Sequence, residues 1–184
     1  MSELRTNRII PRDGLPAGSS GGIIQIKSKH ITDYFTSNSW TYVDITGHNI
    51  TITPTRADSK ILIQYWINWM HAGGNDTAAT LRLLRNGTVI GSDSGNPMND
   101  DRMGMITMYM AAQAHFSVSG FNYLDSPGTT SALTYKTQLH LDSTSFTGGN
   151  IWGVNRYPAL DNYRGSSSIT AYEVSGWHFK NPDI

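Results

Sequence analysis

The sequence contains no cysteine, and this absence excludes three kinds of chemistry together. The 184-residue chain has no disulfide bond, no thiolate ligand for a metal ion and no cysteine nucleophile. Any stability beyond that of the hydrophobic core must therefore come from further packing or from association with other chains.

Charged residues are also scarce. Lysine, arginine, aspartate and glutamate make up 15% of the chain, whereas a typical soluble domain contains about 25%. The formal net charge is zero, so no basic excess is available to bind phosphates, and nucleic acid is not an expected partner. The glutamates are Glu3 and Glu173. Because glutamate is a good helix former, its scarcity argues against long exposed helices.

Long apolar runs are missing as well. The most apolar stretch, residues 61–70, contains Gln64 and Asn68 and is far too short to span a bilayer. Residues 1–14 include no apolar run of the length that a signal peptide needs. The sequence therefore predicts a soluble protein that is made in the cytoplasm and does not insert into a membrane.

The sequence motifs of common enzymes do not occur. There is no His-Glu-x-x-His helix motif, no Gly-x-Ser-x-Gly elbow, no phosphate-binding loop and no dinucleotide fingerprint. A metal site would require histidines far apart in sequence, such as His71, His115 and His140, to converge in the fold. We therefore predict a non-enzymatic protein that uses no cofactor and no metal.

Short strands dominate the pattern from residue 22 onward. In residues 60–70 every second side chain is large and apolar, and Asn86-Gly87 lies between two apolar runs. The alternation predicts a strand, and Asn-Gly predicts a two-residue hairpin turn because both turn positions need a positive φ. About eight to ten such strands predict an all-β fold, a jelly-roll-like antiparallel β-sandwich over residues 22–184.

Residues 1–21 differ from the rest of the chain. Proline and glycine break regular structure there, and residues 19–22, Ser-Ser-Gly-Gly, have the composition of a flexible linker. The apolar side chains of this segment would be unfavourable in water. We predict an extended arm that docks on a neighbouring subunit through Leu4, Ile9, Ile10 and Pro11, although a disordered tail is the simpler alternative.

Aromatic side chains are the most suggestive remaining feature. Tryptophan and tyrosine are enriched at subunit interfaces, and the strands at 61–70 and 103–110 carry apolar residues on their second faces as well. Exposed apolar patches of that size usually mark interfaces. The predicted oligomer interface consists of Tyr65, Trp66, Trp69, Met105 and Met108.

A second interpretation concerns carbohydrate. Trp152, Tyr157 and Tyr163 lie in a stretch that is rich in glycine and asparagine. Flat aromatic faces combined with neutral hydrogen-bonding groups suit the binding of sugars. These three residues are candidates for contact with a host surface glycan.

Two parts of the sequence resemble known proteins. Residues 2–14, continuing into residues 21–25, resemble the N-terminus of many bacteriophage structural proteins, notably those of phages of marine and cyanobacterial hosts. The second resemblance is to the jelly-roll heads of phage fibre-like proteins, which are distantly similar to the trimeric complement-type and tumour-necrosis-factor-like fold. It rests on the order of five short segments, Tyr42–Ile45, Ile52–Pro54, Ser59–Ile63, Leu83–Thr88 and Ser168–Val174.

The resemblance covers most of the chain through short, moderately specific pieces, and it implies a role in the virion. Proteins of this kind are tail fibres, head fibres or capsid decoration (cement) proteins, and the resemblance implies a homotrimer that binds other capsid or tail proteins. It implies no catalytic residue. A long tail fibre has a shaft and a separate anchoring domain, whereas about twenty residues precede the head here, which favours a short fibre, a knob or a decoration protein. A glycan-binding head and a depolymerase are the alternatives.

Overall fold

The computed structural model describes residues 22–72, 77–92, 104–110, 115–142, 151–156 and 163–175. Within these ranges the chain forms strands and no helix, which confirms the all-β prediction. The predicted arm, with Leu4, Ile9, Ile10 and Pro11, lies outside the described residues. The strands are β1 (Ile23–Ile31), β2 (Phe35–Ser37), β3 (Val43–Ile52), β4 (Lys60–Ala72), β5 (Thr77–Arg85), β6 (Thr88–Ile90), β7 (Ile106–Met110), β8 (His115–Asp125), β9 (Leu133–Asp142), β10 (Ile151–Val154) and β11 (Ser167–Val174).

The eight principal strands pair as one long folded hairpin. Strand β5 pairs with β7, β4 with β8, β3 with β9 and β1 with β11, and every pair is antiparallel. The first half of the chain therefore runs outward through the nested pairs and the second half returns beside it. This wrapping is the connectivity of a jelly roll, which confirms the predicted fold class.

The nested hairpin is divided between two sheets. The first sheet has the order β1-β11-β4-β8, and the short strands β10 and β2 extend it beside β4. The second sheet has the order β3-β9-β5, with β6 and β7 sharing the remaining side of β5. The two sheets stack as a sandwich, so each has one face toward the core and one face away from it.

The core lies between the sheets and follows the alternation seen in the sequence. On β4 one face is completely buried, and on β9 every second residue is also buried; these side chains are Ile61, Ile63, Tyr65, Ile67 and Trp69 on β4, and Leu133, Tyr135, Leu139 and Leu141 on β9. Trp69 packs edge-on against Trp152 of β10, with ring centroids 5.7 Å apart. Burying a large apolar side chain contributes about 1.5–3 kcal/mol, so these two strands supply much of the driving force for folding.

The predicted turn at Asn86-Gly87 is confirmed. Both residues have positive φ, 48° and 87°, and they join β5 to β6. The turn also contacts the neighbouring strand, because Asn86 N donates to the carbonyl oxygen of Thr134 at 2.9 Å and Asn86 Oδ1 accepts from Thr134 N at 2.8 Å. Asparagine therefore serves both the turn and the sheet.

A buried carboxylate links the two sheets at the end of β8. Asp125 accepts two hydrogen bonds from Arg85 Nη1, at 2.8 and 2.9 Å, and one from the Tyr135 hydroxyl at 2.6 Å. Only 5% of Asp125 is exposed. The three side chains satisfy one another in a region from which water is largely excluded.

The first and last described strands are neighbours along their whole length. Ile23 faces Val174 and Ile31 faces Ser167, and Ser175 N donates to the carbonyl oxygen of Gly22 at 3.1 Å. The backbone enters β1 and leaves β11 at the same end of the sandwich.

Candidate functional site

The outer face of the first sheet is unusually apolar for a surface in water. Strands β1, β11, β4 and β8 are adjacent, and their outward side chains form rows that the strand register defines. We call these residues the outer face: Ile26, Ser28 and His30 of β1; Ser168, Thr170 and Tyr172 of β11; Leu62, Gln64, Trp66 and Asn68 of β4; and Phe116, Val118, Gly120, Asn122 and Leu124 of β8.

One row of the outer face is apolar or aromatic across all four strands. Ile26 faces Tyr172, Tyr172 faces Leu62, and Leu62 faces Leu124. Ile26 is 54% exposed and Leu124 is 49% exposed. This row places apolar side chains side by side in contact with solvent.

The next row is polar but uncharged. It consists of Ser28, Thr170, Gln64 and Asn122. The hydroxyl groups of Ser28 and Thr170 are 2.9 Å apart, and the hydroxyl of Tyr172 donates to Gln64 Oε1 at 3.3 Å. Several of these groups therefore already have a hydrogen-bond partner within the face.

A second apolar cluster surrounds Trp66, which is 50% exposed. Trp66 faces Gly120, and a Cβ atom added at Gly120 would lie 2.6 Å from Trp66 Cε3. Glycine is thus required for the indole to lie against the backbone of β8. Beyond it are Val118 and Phe116, 61% and 46% exposed, and the ring of Tyr163 lies 5.3 Å from that of Phe116.

The outer face carries no aspartate, glutamate, lysine or arginine among its defined residues. Its only histidine is His30 at one edge, and Lys60 lies just beyond the row of Leu62. Depletion of charge together with exposed aromatic residues characterises the centre of a protein interface, and a contiguous exposed apolar patch marks an interaction site. The outer face is the candidate functional site.

Only one of the five residues predicted for the oligomer interface lies on this face, namely Trp66. Tyr65 and Trp69 are completely buried, because they belong to the alternate face of β4 that points into the core. Met105 and Met108 are partly buried and pack against the core, and Ser119 Oγ donates to Met108 Sδ at 3.3 Å. The structure therefore assigns these four side chains to the core and its margin.

The predicted glycan residues are also dispersed. Trp152 is completely buried between Trp69 and His71, whose ring centroid lies 5.1 Å away, so it presents no face to a sugar. Tyr163 is 52% exposed, and Tyr157 lies outside the described residues.

The outer-face residues of β8 and β1 are absent from the sequence-based interface prediction. The signal was present: Phe116, Val118 and Leu124 occupy alternate positions of a segment whose other face also carries aromatic residues. A strand that is apolar on both faces suits a sheet covered on both sides.

A buried histidine within β3 gives the core of the sandwich a titratable group. Gly47 has a φ of 80°, and the register between β3 and β9 shifts at this point, which turns His48 inward. His48 Nδ1 forms a hydrogen bond with the Tyr65 hydroxyl, and Thr137 Oγ1 donates to the same hydroxyl at 3.4 Å. Burial, assisted by the positive charge of Lys29, lowers the pKa of His48 to about 4.

The low pKa of His48 predicts a loss of stability in weak acid. Between pH 6.5 and about 4 the unfolded chain binds a proton at His48 and the folded protein does not. Stability therefore falls with falling pH by at most about 1.4 kcal/mol per pH unit from this site. We expect His48→Asn, which keeps a hydrogen-bonding group near the Tyr65 hydroxyl, to be less stable than the wild-type protein at pH 7. Its free energy of unfolding should change less with pH across this window.

Urea midpoints at pH 7, 6, 5 and 4.5 measure this dependence. The control is Trp40→Asn, because Trp40 is 61% exposed, lies outside the outer face and does not titrate, so its replacement should leave the slope unchanged. Equal slopes for the wild-type protein and His48→Asn would contradict the prediction.

The buried Glu173 is a structural carboxylate. Its Oε1 accepts from Thr55 N at 2.7 Å and from Thr55 Oγ1 at 2.8 Å, and its Oε2 accepts from Gln25 Nε2 at 2.6 Å. Burial raises the pKa of Glu173, but the hydrogen bonds from Gln25 and Thr55 outweigh that effect, and the pKa lies below its ordinary value. The charged form is thus held by neutral donors that join β11 to β1 and to the loop before β4.

Two further searches of the described ranges gave negative results. They contain no group of three histidine, aspartate or glutamate side chains arranged to hold a metal ion. They also contain no helix of the length and apolarity needed to cross a membrane.

No protein-family model matches the sequence, and no curated protein matches it. Solved structures of infectious bursal disease virus are similar to it. For the Gt strain the TM-score is 0.42 at 14% identity over 90% of this chain and 42% of that chain. For the Gx strain the TM-score is 0.40 at 15% identity, over 91% of this chain and 43% of that chain. For the VP2 subviral particle the TM-score is 0.36 at 16% identity, over 90% of this chain and 42% of that chain.

The chain thus spans about two fifths of the length of those viral chains. Scores of this size do not transfer a function from those proteins to this one.

Proposed function

We propose that the protein is a structural component of a bacteriophage particle, in which it assembles as a homotrimer through its outer face. The arm at residues 1–21 attaches each subunit to other capsid or tail proteins, and the jelly roll is displayed at the surface as a short fibre, knob or decoration. The viral assignment is supported by the resemblance of residues 2–14 and 21–25 and of the ordered strand segments to phage structural proteins. The role needs no catalytic residue and no cofactor.

The apolar, uncharged outer face is the observation that carries self-association. Ile26, Val118 and Leu124 are about half exposed or more, and removing such side chains from water contributes about 25 cal/mol per Å² of apolar area. Because the face carries no formal charge, covering it buries no unpaired ion. In a closed ring of identical subunits the same face of every chain is covered, so this face suits a trimer whose subunits turn it toward their common axis.

Placing a charged side chain at the centre of the apolar outer face tests this proposal. We expect the wild-type protein to have the mass of a trimer at micromolar concentration, as measured by light scattering. Trp66→Glu should be monomeric, because association would bury its carboxylate without a partner. Its thermal unfolding should show that the sandwich still forms, since Trp66 is half exposed.

Trp40→Glu is the matched control. Trp40 is 61% exposed but lies outside the outer face, between β2 and β3, so this variant should remain trimeric. A monomeric wild-type protein, or a trimeric Trp66→Glu variant, would refute the proposal.

A further inference from the structure

The edges of the two sheets differ in how they are protected against pairing with another chain. A sheet edge presents unpaired backbone N–H and C=O groups, and proteins usually block it with charge, with a bulge or with a short strand. Among the described strands, the edges are β1, β8 and β2 in the first sheet and β3, β6 and β7 in the second. Each of them is open to a neighbouring chain unless such a feature blocks it.

Most of these edges carry a blocking feature. On β1 the core-facing side includes Lys27 and Lys29, which lie opposite buried residues of β11, and the register shifts directly after Ile23. On β3 the register shifts after the charged residue Asp44. Strands β2, β6 and β7 contain three, three and five residues. Inward-pointing lysines, bulges and short strands all hinder the addition of a further strand.

Strand β8 has none of these features. It is 11 residues long and pairs with β4 without a register shift. Residues 116–124 contain no charged residue and no proline. Within the described part of the chain β8 pairs only with β4, so every second residue directs its N–H and C=O groups away from the sheet. The strand is therefore an open template for a further strand.

The side chains beside this edge are incompletely covered on both faces of the sheet. On the outer side Phe116, Val118 and Leu124 are 46%, 61% and 49% exposed. On the core side Phe121 and Tyr123 pack against the core but are only partly buried. A strand added at this edge would cover both sets, so apolar burial would act together with backbone hydrogen bonds.

We propose that β8 pairs with β8 of a second copy of the chain, antiparallel and centred on Gly120, so that two first sheets become one continuous sheet. Gly120 is the midpoint of β8, and this register therefore pairs the strand over its whole length. On the core side Ser117 then faces Tyr123 of the second copy, and Ser119 faces Phe121. A small side chain opposite each aromatic ring leaves room for the ring to pack.

The outer side is also self-complementary in this register. Phe116 faces Leu124 of the second copy, which brings two apolar side chains together. Gly120 faces its own equivalent, and Trp66 lies against the backbone at Gly120. The two indoles would thus lie on either side of the twofold axis and cover the glycines. Because residues 116–124 carry no charge, like charges meet at none of these positions.

These matches favour a second copy over an unrelated extended peptide as the occupant of the edge. The twofold axis of such a pair is perpendicular to the sheet, so the outer faces of both copies lie on the same side and remain uncovered. The contact is therefore separate from the one proposed for the trimer. Where trimers form, it joins one trimer to another; that step rests on the proposed function, whereas the strand pairing itself does not.

The concentration dependence of the mass tests the pairing. One strand pair buries less than the standard interface of about 1,600 Å², so we expect a Kd of about 0.1–1 mM. Light scattering of the wild-type protein should show the mean mass rising about 1.5-fold or more between about 10 µM and about 1 mM. This rise is expected whatever the mass at the lower concentration.

Ser119→Lys gives β8 the feature that blocks β1. Ser119 is a half-buried residue on the core side of the edge strand, and the two introduced ammonium groups would be diagonal neighbours, about 7–8 Å apart. The variant should keep the wild-type mass at about 10 µM and lose the rise at about 1 mM. Thr51→Lys is the matched control, because Thr51 is an exposed residue of β3, and it should associate as the wild-type protein does.

Engineered cysteines test the register, because the chain has none of its own. Val118→Cys and Asn122→Cys occupy positions that face each other in the proposed pair, at a Cα separation that a disulfide bond can span. When the two variants are mixed and oxidised, heterodimers should exceed either homodimer, since Val118 and its own equivalent would be about 13 Å apart. Ile26→Cys mixed with Ser28→Cys, on the blocked edge β1, is the control and should show no such preference.

Three results would overturn the proposal: a wild-type mass that stays constant up to about 1 mM, a Ser119→Lys variant that associates as the wild-type protein does, or cross-linking without preference for Val118→Cys with Asn122→Cys. A preference that disappears when residues 1–21 are deleted would assign the edge to the arm and would also overturn it. A monomeric mass at about 10 µM contradicts the trimer alone, because strand pairing is then still seen as a rise toward the dimer.

Discussion

Replacing Trp69 with alanine is expected to lower the free energy of unfolding by about 3–5 kcal/mol. The side chain is completely buried and packs against Trp152, so its removal leaves a large cavity between the sheets. Its Nε1 has no hydrogen-bond partner within the described part of the chain, and deleting an unpaired buried donor recovers part of the loss. We therefore expect a value in the lower half of the range.

Urea denaturation followed by circular dichroism measures the effect of Trp69→Ala. Trp40→Ala is the matched control, because the same side chain is removed from a position that is 61% exposed, and its midpoint should stay close to that of the wild-type protein. Similar losses in the two variants would show that Trp69 does not occupy the core.

The second large loss of folding stability is expected when Asp125 is replaced by alanine. Asp125→Ala leaves the completely buried Tyr135 without an acceptor for its hydroxyl and leaves Arg85 without a counter-ion. Removing one member of a buried ion pair costs about 3–5 kcal/mol. Because the side chain of Arg85 is 28% exposed and can turn toward water, we expect about 2–4 kcal/mol here.

The tyrosine makes the effect persist over a wide pH range. Burial, together with the hydrogen bond to Asp125 and the charge of that carboxylate, raises the pKa of Tyr135. The hydroxyl therefore stays protonated and remains a donor at neutral and mildly alkaline pH. Asp125→Asn, which retains an acceptor oxygen, should lose less stability than Asp125→Ala.

The control for Asp125 is a pair on the surface. Arg56 and Asp58 are 2.7 Å apart, and their side chains are 50% and 34% exposed, so water and salt screen their attraction. Asp58→Ala should unfold at the same urea concentration as the wild-type protein. An Asp125→Ala variant as stable as Asp58→Ala would contradict the interpretation of the buried network.

The strands and their alternation could be predicted because they follow from local chemistry. The burial of every second residue from Ile61 to Trp69 and the turn at Asn86-Gly87 both follow from side-chain patterns a few residues long. The interface residues could not be chosen in the same way. In the sequence Tyr65, Trp66 and Trp69 are all large aromatic residues of one strand. Which of them is buried depends on the face of β4 against which the second sheet packs, and the sequence of β4 alone does not specify that face.

The end of the sandwich where β1 finishes and β11 begins depends on contacts between segments that are distant in sequence. Asn155 joins residues 31–33 to residues 165–167, a separation of more than 130 positions. Its left-handed backbone conformation, with a φ of 62°, has no marker in the sequence comparable to Asn-Gly.

The pairing of β1 with β11 gives the subunit two opposite poles. The backbone enters and leaves beside Ile23 and Val174, whereas Thr32 and Gly165 lie at the other end of the same strand pair, about 27 Å away. A subunit held through the segment before β1 would direct that far end away from the point of attachment.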